Sequence, residues 1–155
     1  MPRDEQKRAN KIAKTVERYK ALRIGKCIAD TAKQFQLMIR LEAADEFGRV
    51  TCCSCGGSFE LGKNVDAGHF LGRQNNATIF DERNVAPQCH QCNRFDTSGQ
   101  ARVNYNAYML EKYGDQVVAE LILKSNQSKQ FTREELAEMR QGYMDRIREA
   151  KKKFQ

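Results

Sequence analysis

Two C-x-x-C hooks, Cys52/Cys55 and Cys89/Cys92, constrain this chain more than any other feature of its 155 residues. Four thiolates supplied in this way can close a tetrahedron around Zn²⁺. The same residues could form disulfides or redox pairs, but those need an oxidising compartment or a thioredoxin-like βαβ context, and neither is visible here. Cys53 would leave a single residue before Cys55, too tight for a metal knuckle, so Cys52 is read as the ligand. Cys27 lies in a helix-like stretch and reads as a small core residue.

A chain of this length fits one domain, or one compact module with helical extensions. It has no apolar run of membrane-spanning length, and its first residues lack a signal-peptide core. A cytoplasmic protein is therefore expected, with zinc in place of disulfides. The net charge of +7 is unevenly placed: residues 1–40 hold eleven basic and four acidic residues, 41–100 hold five and eight, and 101–155 hold eleven and eight. Basic flanks attract nucleic-acid phosphates, and an acidic centre suits bound cations. The plainer alternative is that Lys and Arg solvate long helices.

Residues 4–24 read as a charged helix whose only apolar stripe is Ile12, Val16, Tyr19 and Leu22, so it needs a partner. Residues 28–47 predict an amphipathic helix, with Ile28, Ala32, Phe35, Ile39, Ala43 and Phe47 on one face and Gly48 ending it. From Val50 to Ala86 the pattern is short and broken, with candidate strands at Val65–Phe70 and Asn84–Ala86 between glycine and asparagine turns. A short helix is expected from His90 to Asp96, then helices at 103–113, 115–125 and 132–153, the last opening with a Thr132/Glu135 capping box. Tyr105, Tyr108 and Tyr113 read first as packing residues and second as a base-stacking surface.

The chemistry lies between the hooks. A histidine ending a strand, an asparagine in the next strand and a polar residue opening the following helix describe a ββα nuclease site. There a divalent cation holds the scissile phosphate and the histidine takes a proton from water. His69, with an extended segment before it and Gly68 beside it to leave room for a phosphate, is the candidate general base; alternatively it is a buried histidine or a zinc ligand. Asp66 and Asn93 offer the oxygen atoms that Mg²⁺ prefers, or serve as a turn residue and a helix cap. Asn84 would fasten the loop between the strands, His90 is the runner-up for the role of His69, and Arg73 and Arg83 could grip phosphates.

The ordered run Cys52-Cys53-Ser54-Cys55-Gly56, Asp66-Ala67-Gly68-His69-Phe70, Asp81-Glu82-Arg83-Asn84-Val85 and Gln88-Cys89-His90-Gln91-Cys92-Asn93 resembles the phage lambda NinG (Rap) family of recombination endonucleases. The likeness runs from about Val50 into the C-terminal helices. The Cys92-Asn93 pair is also similar to the HNH, or His-Me, finger of phage T4 endonuclease VII, where an asparagine follows the last zinc cysteine. Many such fingers set Asp and His side by side, whereas here two residues separate Asp66 from His69. The resemblance implies Mg²⁺-dependent cutting of branched DNA such as Holliday junctions and D-loops.

Together these readings predict an α+β chain, mainly helical, around a small zinc-stapled ββα-metal core: basic N-terminal helices over 1–48 for DNA binding or dimerisation, the nuclease core over 49–100, and a C-terminal helical region over 101–155. Structural Zn²⁺ on Cys52, Cys55, Cys89 and Cys92 and catalytic Mg²⁺ (or Mn²⁺) on Asp66 and Asn93 are the expected cofactors. Branched DNA, a second copy of the chain and a phage recombinase are the expected partners, in the cytoplasm of a bacterial host. An HNH nickase of ordinary duplex and a zinc-dependent DNA-binding factor with no activity are the alternatives.

Overall fold

The computed structural model describes residues 3–155. The chain is mainly helical with two small antiparallel sheets, in the order α1 (Arg3–Lys20), α2 (Ile24–Ala43), β1 (Arg49–Thr51), β2 (Ser58–Glu60), β3 (Val65–His69), β4 (Val85–Cys89), α3 (His90–Arg94), α4 (Gln100–Ser125) and α5 (Arg133–Ala150). Among the described residues no helix is long and apolar enough to cross a membrane.

The partner that α1 requires is α5. Ile12, Val16, Tyr19 and Leu22 pack with Cys27, Leu136 and Ala137. The guanidinium of Arg133 donates to the carbonyls of Tyr19 and Leu22 at 2.8 and 2.7 Å, supplying the donors that the C-terminal end of α1 lacks. Helix α5 opens with the expected capping box, Thr132 and Glu135 each bonding the other's backbone N–H.

The sheet β3–β4 lies between two helical layers. Alternation along the strands sends Ala67 and Val85 toward Phe35, Met38 and Ile39 of α2 and Ile147 of α5. Ala86 faces the other way and, with Phe70, meets Tyr105, Met109, Val118 and Leu121 of α4. Helix α4 is interrupted where the sequence divides it: Gly114 takes φ +82°, a left-handed conformation open to glycine, and both halves reach the same cluster.

Several boundaries differ from expectation; α1, read to residue 24, ends at Lys20. Helix α2 starts and stops earlier than 28–47, because Asp45 accepts hydrogen bonds from the backbone N–H groups of Phe47 and Arg49 and turns the chain there. Gly48 therefore sits in that turn and not at the helix end, and Phe47, placed by periodicity on the apolar face, is 79% exposed. Asn84 belongs to a single 3₁₀ turn, Glu82–Asn84, and β4 runs on from it to Cys89. The hairpin β1–β2 carries no sequence pattern of its own; its three-residue strands flank the first cysteine hook, where the Cys52 N–H bonds the carbonyl of Gly57.

Candidate active site and metal centre

The hairpin β1–β2 brings Cys52 and Cys55 to the end of β4 and the start of α3, which carry Cys89 and Cys92. The four sulfurs lie within 4.8 Å of one another, and those of Cys55 and Cys89 are 3.9 Å apart. Tetrahedral zinc with Zn–S bonds of about 2.3 Å requires sulfurs about 3.8 Å apart, so the cluster is compatible with Zn²⁺. The Cys89 N–H points at the Cys52 sulfur at 3.3 Å. Burial pushes the Cys52 thiol up, but backbone N–H groups of Cys55, Cys89 and Ser54 outweigh it and favour the thiolate. Cys53 is turned away: its sulfur packs beside the α4 cluster, and burial followed by the neighbouring Cys52 pushes its pKa up to about 12.

Strand, strand and helix β3, β4 and α3 follow one another with Val65 opposite Cys89 and His69 opposite Val85. His69 ends β3 and is held by one contact, its Nε2 lying 3.0 Å from the carbonyl oxygen of Ile79. A carbonyl can only accept, so Nε2 carries the proton and the lone pair of the neutral ring is at Nδ1. Nδ1 is buried and has no partner among the described residues. Burial depresses the His69 pKa below 6.5, the Ile79 carbonyl partly offsets it, and the charge of Arg73 depresses it further.

Asp66 leaves the opposite face of β3, three positions earlier, and meets α3. Its carboxylate accepts from Asn93 Nδ2 at 2.9 Å and from Arg94 Nε and Nη2 at 2.6 and 2.5 Å, with His90 Nε2 at 3.3 Å. Burial would raise its pKa, but Arg94, Asn93 and His90 overcome that and hold it below the ordinary carboxylate value. Asp66 and Asn93 are thus brought together, while His69 lines a separate cleft of about 250 Å³ with Gln88, Cys92, Asn93, Asp96 and Arg102. Asn93 is the residue common to both.

Asn84 is fully buried and fastens the loop, as its sequence position suggests: Oδ1 accepts from the Leu71 N–H at 2.8 Å, and Nδ2 donates to the carbonyls of Leu71 and Thr78 at 3.0 and 3.1 Å. The room beside His69 at Gly68 is not open to a phosphate. A Cβ there would lie 2.2 Å from Oε1 of Gln88, a side chain that also bonds Ser54 and ties the hook to the sheet. Arg83 is committed to Asp81 and Glu120; of the two candidate phosphate grips only Arg73 has no partner among the described residues, and it is exposed and close enough for its charge to reach His69.

Sequence reasoning missed Arg94 and the Ile79 carbonyl. Arg94 directly follows Asn93 on the helix that faces Asp66, which is the signal that could have found it; the carbonyl leaves no side-chain signal. A family model described as Bacteriophage Lambda NinG protein matches residues 2–153. No curated protein and no solved structure matches the chain.

Proposed function

The chain belongs to the bacteriophage lambda NinG family, and on that premise we propose that it is a metal-dependent endonuclease that hydrolyses phosphodiester bonds in branched DNA arising during phage recombination. The observation that carries this reading is the state of His69: Nε2 locked on a carbonyl, Nδ1 buried and unpartnered, and a pKa depressed by burial that keeps the ring neutral. A neutral ring with its lone pair at Nδ1 has the protonation state of a general base, and a water reaches it once Nδ1 opens to the cleft that His69 lines. In this reading β3, β4 and α3 form an HNH, or His-Me, finger that a structural zinc staples shut.

The donor types around Asp66 fit one Mg²⁺, which takes one or two carboxylates and completes its shell with phosphate and water. Asp66 and the amide oxygen of Asn93 would hold it, and when bound it supplies charge withdrawal from the scissile phosphate. The chain's own groups do the rest. His69 Nδ1 accepts the proton of the attacking water, and the Nε2 donation to Ile79 keeps the ring oriented as it becomes charged. Arg73 draws the phosphate to that end of β3.

Both Asp66 oxygens are engaged by Arg94, so a cation must displace the guanidinium. Arg94→Ala is accordingly expected to bind Mn²⁺ at least about tenfold more tightly in the absence of DNA, since it removes a competing charge-assisted pair. Manganese electron paramagnetic resonance titration measures this, and an unchanged affinity would exclude Asp66 as a cation ligand. The same ion pair favours a second reading, a zinc-dependent DNA-binding factor whose site never takes a cation.

The deciding experiment places purified protein with a labelled four-way junction and a matched linear duplex, in Mg²⁺ or EDTA. Junction-selective cutting that needs Mg²⁺ is expected. Equal cutting of both substrates indicates a duplex nickase, and binding without cutting indicates the inactive factor. Resolving a junction requires two cuts, so two copies are expected on it; light scattering that finds only monomers with and without the junction removes that part of the reading.

A further inference from the structure

We propose that the outer face of α2, with Arg73, is the track along which the DNA backbone runs to His69. The inference rests on the nuclease reading for the identity of the substrate and adds the surface that holds it. Lys26, Lys33 and Arg40 recur at seven-residue intervals. Seven residues are close to two full helical turns, so the three lie on one line with steps of about 10 Å along the axis. Cys27, Thr31, Phe35 and Met38 occupy the buried side of the helix, which leaves this line facing outward. Lys26 and Lys33 are exposed and Arg40 is half-buried.

The line runs beside both halves of the candidate site. Burial lowers the Arg40 pKa and the charge of Asp66 partly offsets it, so Arg40 lies within electrostatic reach of that carboxylate without bonding it. Further up the helix, Lys33 and Gln36 share a cleft of about 430 Å³ with Arg73 and Ile79, the residue whose carbonyl holds His69. From Lys26 to Arg40 the track covers about 21 Å, the axial length of about six phosphates on one strand.

No carboxylate among the described residues pairs with these four cations; Lys14 of α1 and Arg23 at the cap of α2 are likewise unpaired, but they do not fall on the seven-residue line. Among the described residues Arg8 pairs with Asp145, Arg18 and Arg140 with Asp30, Arg83 with Asp81, Arg94 with Asp66 and Arg146 with Glu42 and Glu82. Lys26, Lys33, Arg40 and Arg73 form no such pair and no side-chain hydrogen bond. The two acidic residues of α2, Asp30 and Glu42, are neutralised by arginines of α1 and α5, so nothing on the helix cancels the line. Helix α1 offers poorer ground: Lys7 and Lys11 line a cleft with Asp4, Glu5 and Asp145. Unpaired cations on one line, about one for every third phosphate of a strand and ending near His69, fit a polyanionic strand better than an acidic protein surface of arbitrary spacing.

The test is junction binding in EDTA, where no cleavage can occur, across a salt series. Each phosphate contact contributes about 0.9 to the slope of log affinity against log salt. The variant Lys26→Ala/Lys33→Ala/Arg73→Ala is expected to lose about 2.7 from that slope, while Lys7→Ala/Lys11→Ala keeps it. All three truncated side chains are exposed and unpaired, so melting temperature and zinc content should match the unmodified protein and confirm that it is folded. An unchanged slope in the triple variant, an equal loss in the α1 variant, or an unmodified protein that does not bind the junction would each overturn the track. Binding with the expected slope loss but no cutting in Mg²⁺ removes the nuclease reading and leaves the track in place.

Discussion

Cys89→Ala is expected to cost the protein its zinc and about 5 kcal/mol of stability, seen as a fall in melting temperature of about 10–20 °C. The argument is one of size. Both sheets have only two strands, three residues long in β1–β2 and five in β3–β4, and such pairs are marginal alone. Apart from the four clustered thiols, the first hook is held to the sheet β3–β4 and to α4 by few groups: the Cys53 N–H on the carbonyl of Pro87, the Gln88–Ser54 hydrogen bond, the Ser54 bond to the carbonyl of Ala101 in α4, and the small cluster of Ala44, Val50 and Val65. Structural zinc in comparable peptides supplies about 10–16 kcal/mol, so losing one of four ligands removes more than those contacts can replace. Cys53→Ala is the matching control, because its sulfur lies outside the cluster and should leave one zinc per chain. Metal analysis and calorimetry decide the matter: a Cys89→Ala protein that melts with the unmodified one, or an unmodified protein purified without zinc under reducing conditions, would show that the cysteines do not staple this fold.

How far the sequence was legible depended on how local each signal was. The α1 stripe, the Thr132/Glu135 box and the Gly114 break are statements about three to eight neighbouring residues, and all three appear as read. The choice of Cys52 over Cys53 was equally local, since the knuckle turns on the spacing to Cys55. The end of α2 was misread because helical periodicity continues to Phe47, while the Asp45 side chain, two positions earlier, captures backbone donors that a further turn would need. Gly68 was misread for another reason. Its missing Cβ serves Gln88, a residue on the facing strand, and a cross-strand partner cannot be identified until the register is known. The Asp66–Arg94 pair is of the same kind: Asp66 was singled out and Arg94 was not, because only the approach of α3 to β3 makes them neighbours. The cation track combines the two, since the seven-residue spacing is written in the sequence and its meaning depends on which other cations the fold has neutralised.

His69→Ala is expected to lower junction cleavage in Mg²⁺ by 10²- to 10⁴-fold, the usual contribution of a positioned general base, while leaving junction affinity in EDTA and zinc content unchanged. Loss of activity alone would not separate catalysis from packing, because the ring also satisfies the Ile79 carbonyl. The pH profile separates them. Burial favours the neutral ring, so the imidazole protonates less readily in the folded chain than at its ordinary value of 6.5. Cleavage by the unmodified protein should therefore stay level through neutral pH and fall about tenfold per unit only below that value, as the base is lost. The residual activity of His69→Ala should lack this limb. The stability contribution has a consistent sign: with the folded pKa depressed, the unfolded chain binds more protons, so stability is complete above pH 6.5 and declines as pH falls through it. Added imidazole should restore part of the cleavage by His69→Ala, which repair of packing alone would not do. A variant that cuts within about threefold of the unmodified protein, with the same acid limb, would remove His69 as the base and leave His90, 3.3 Å from Asp66, as the remaining histidine of the site.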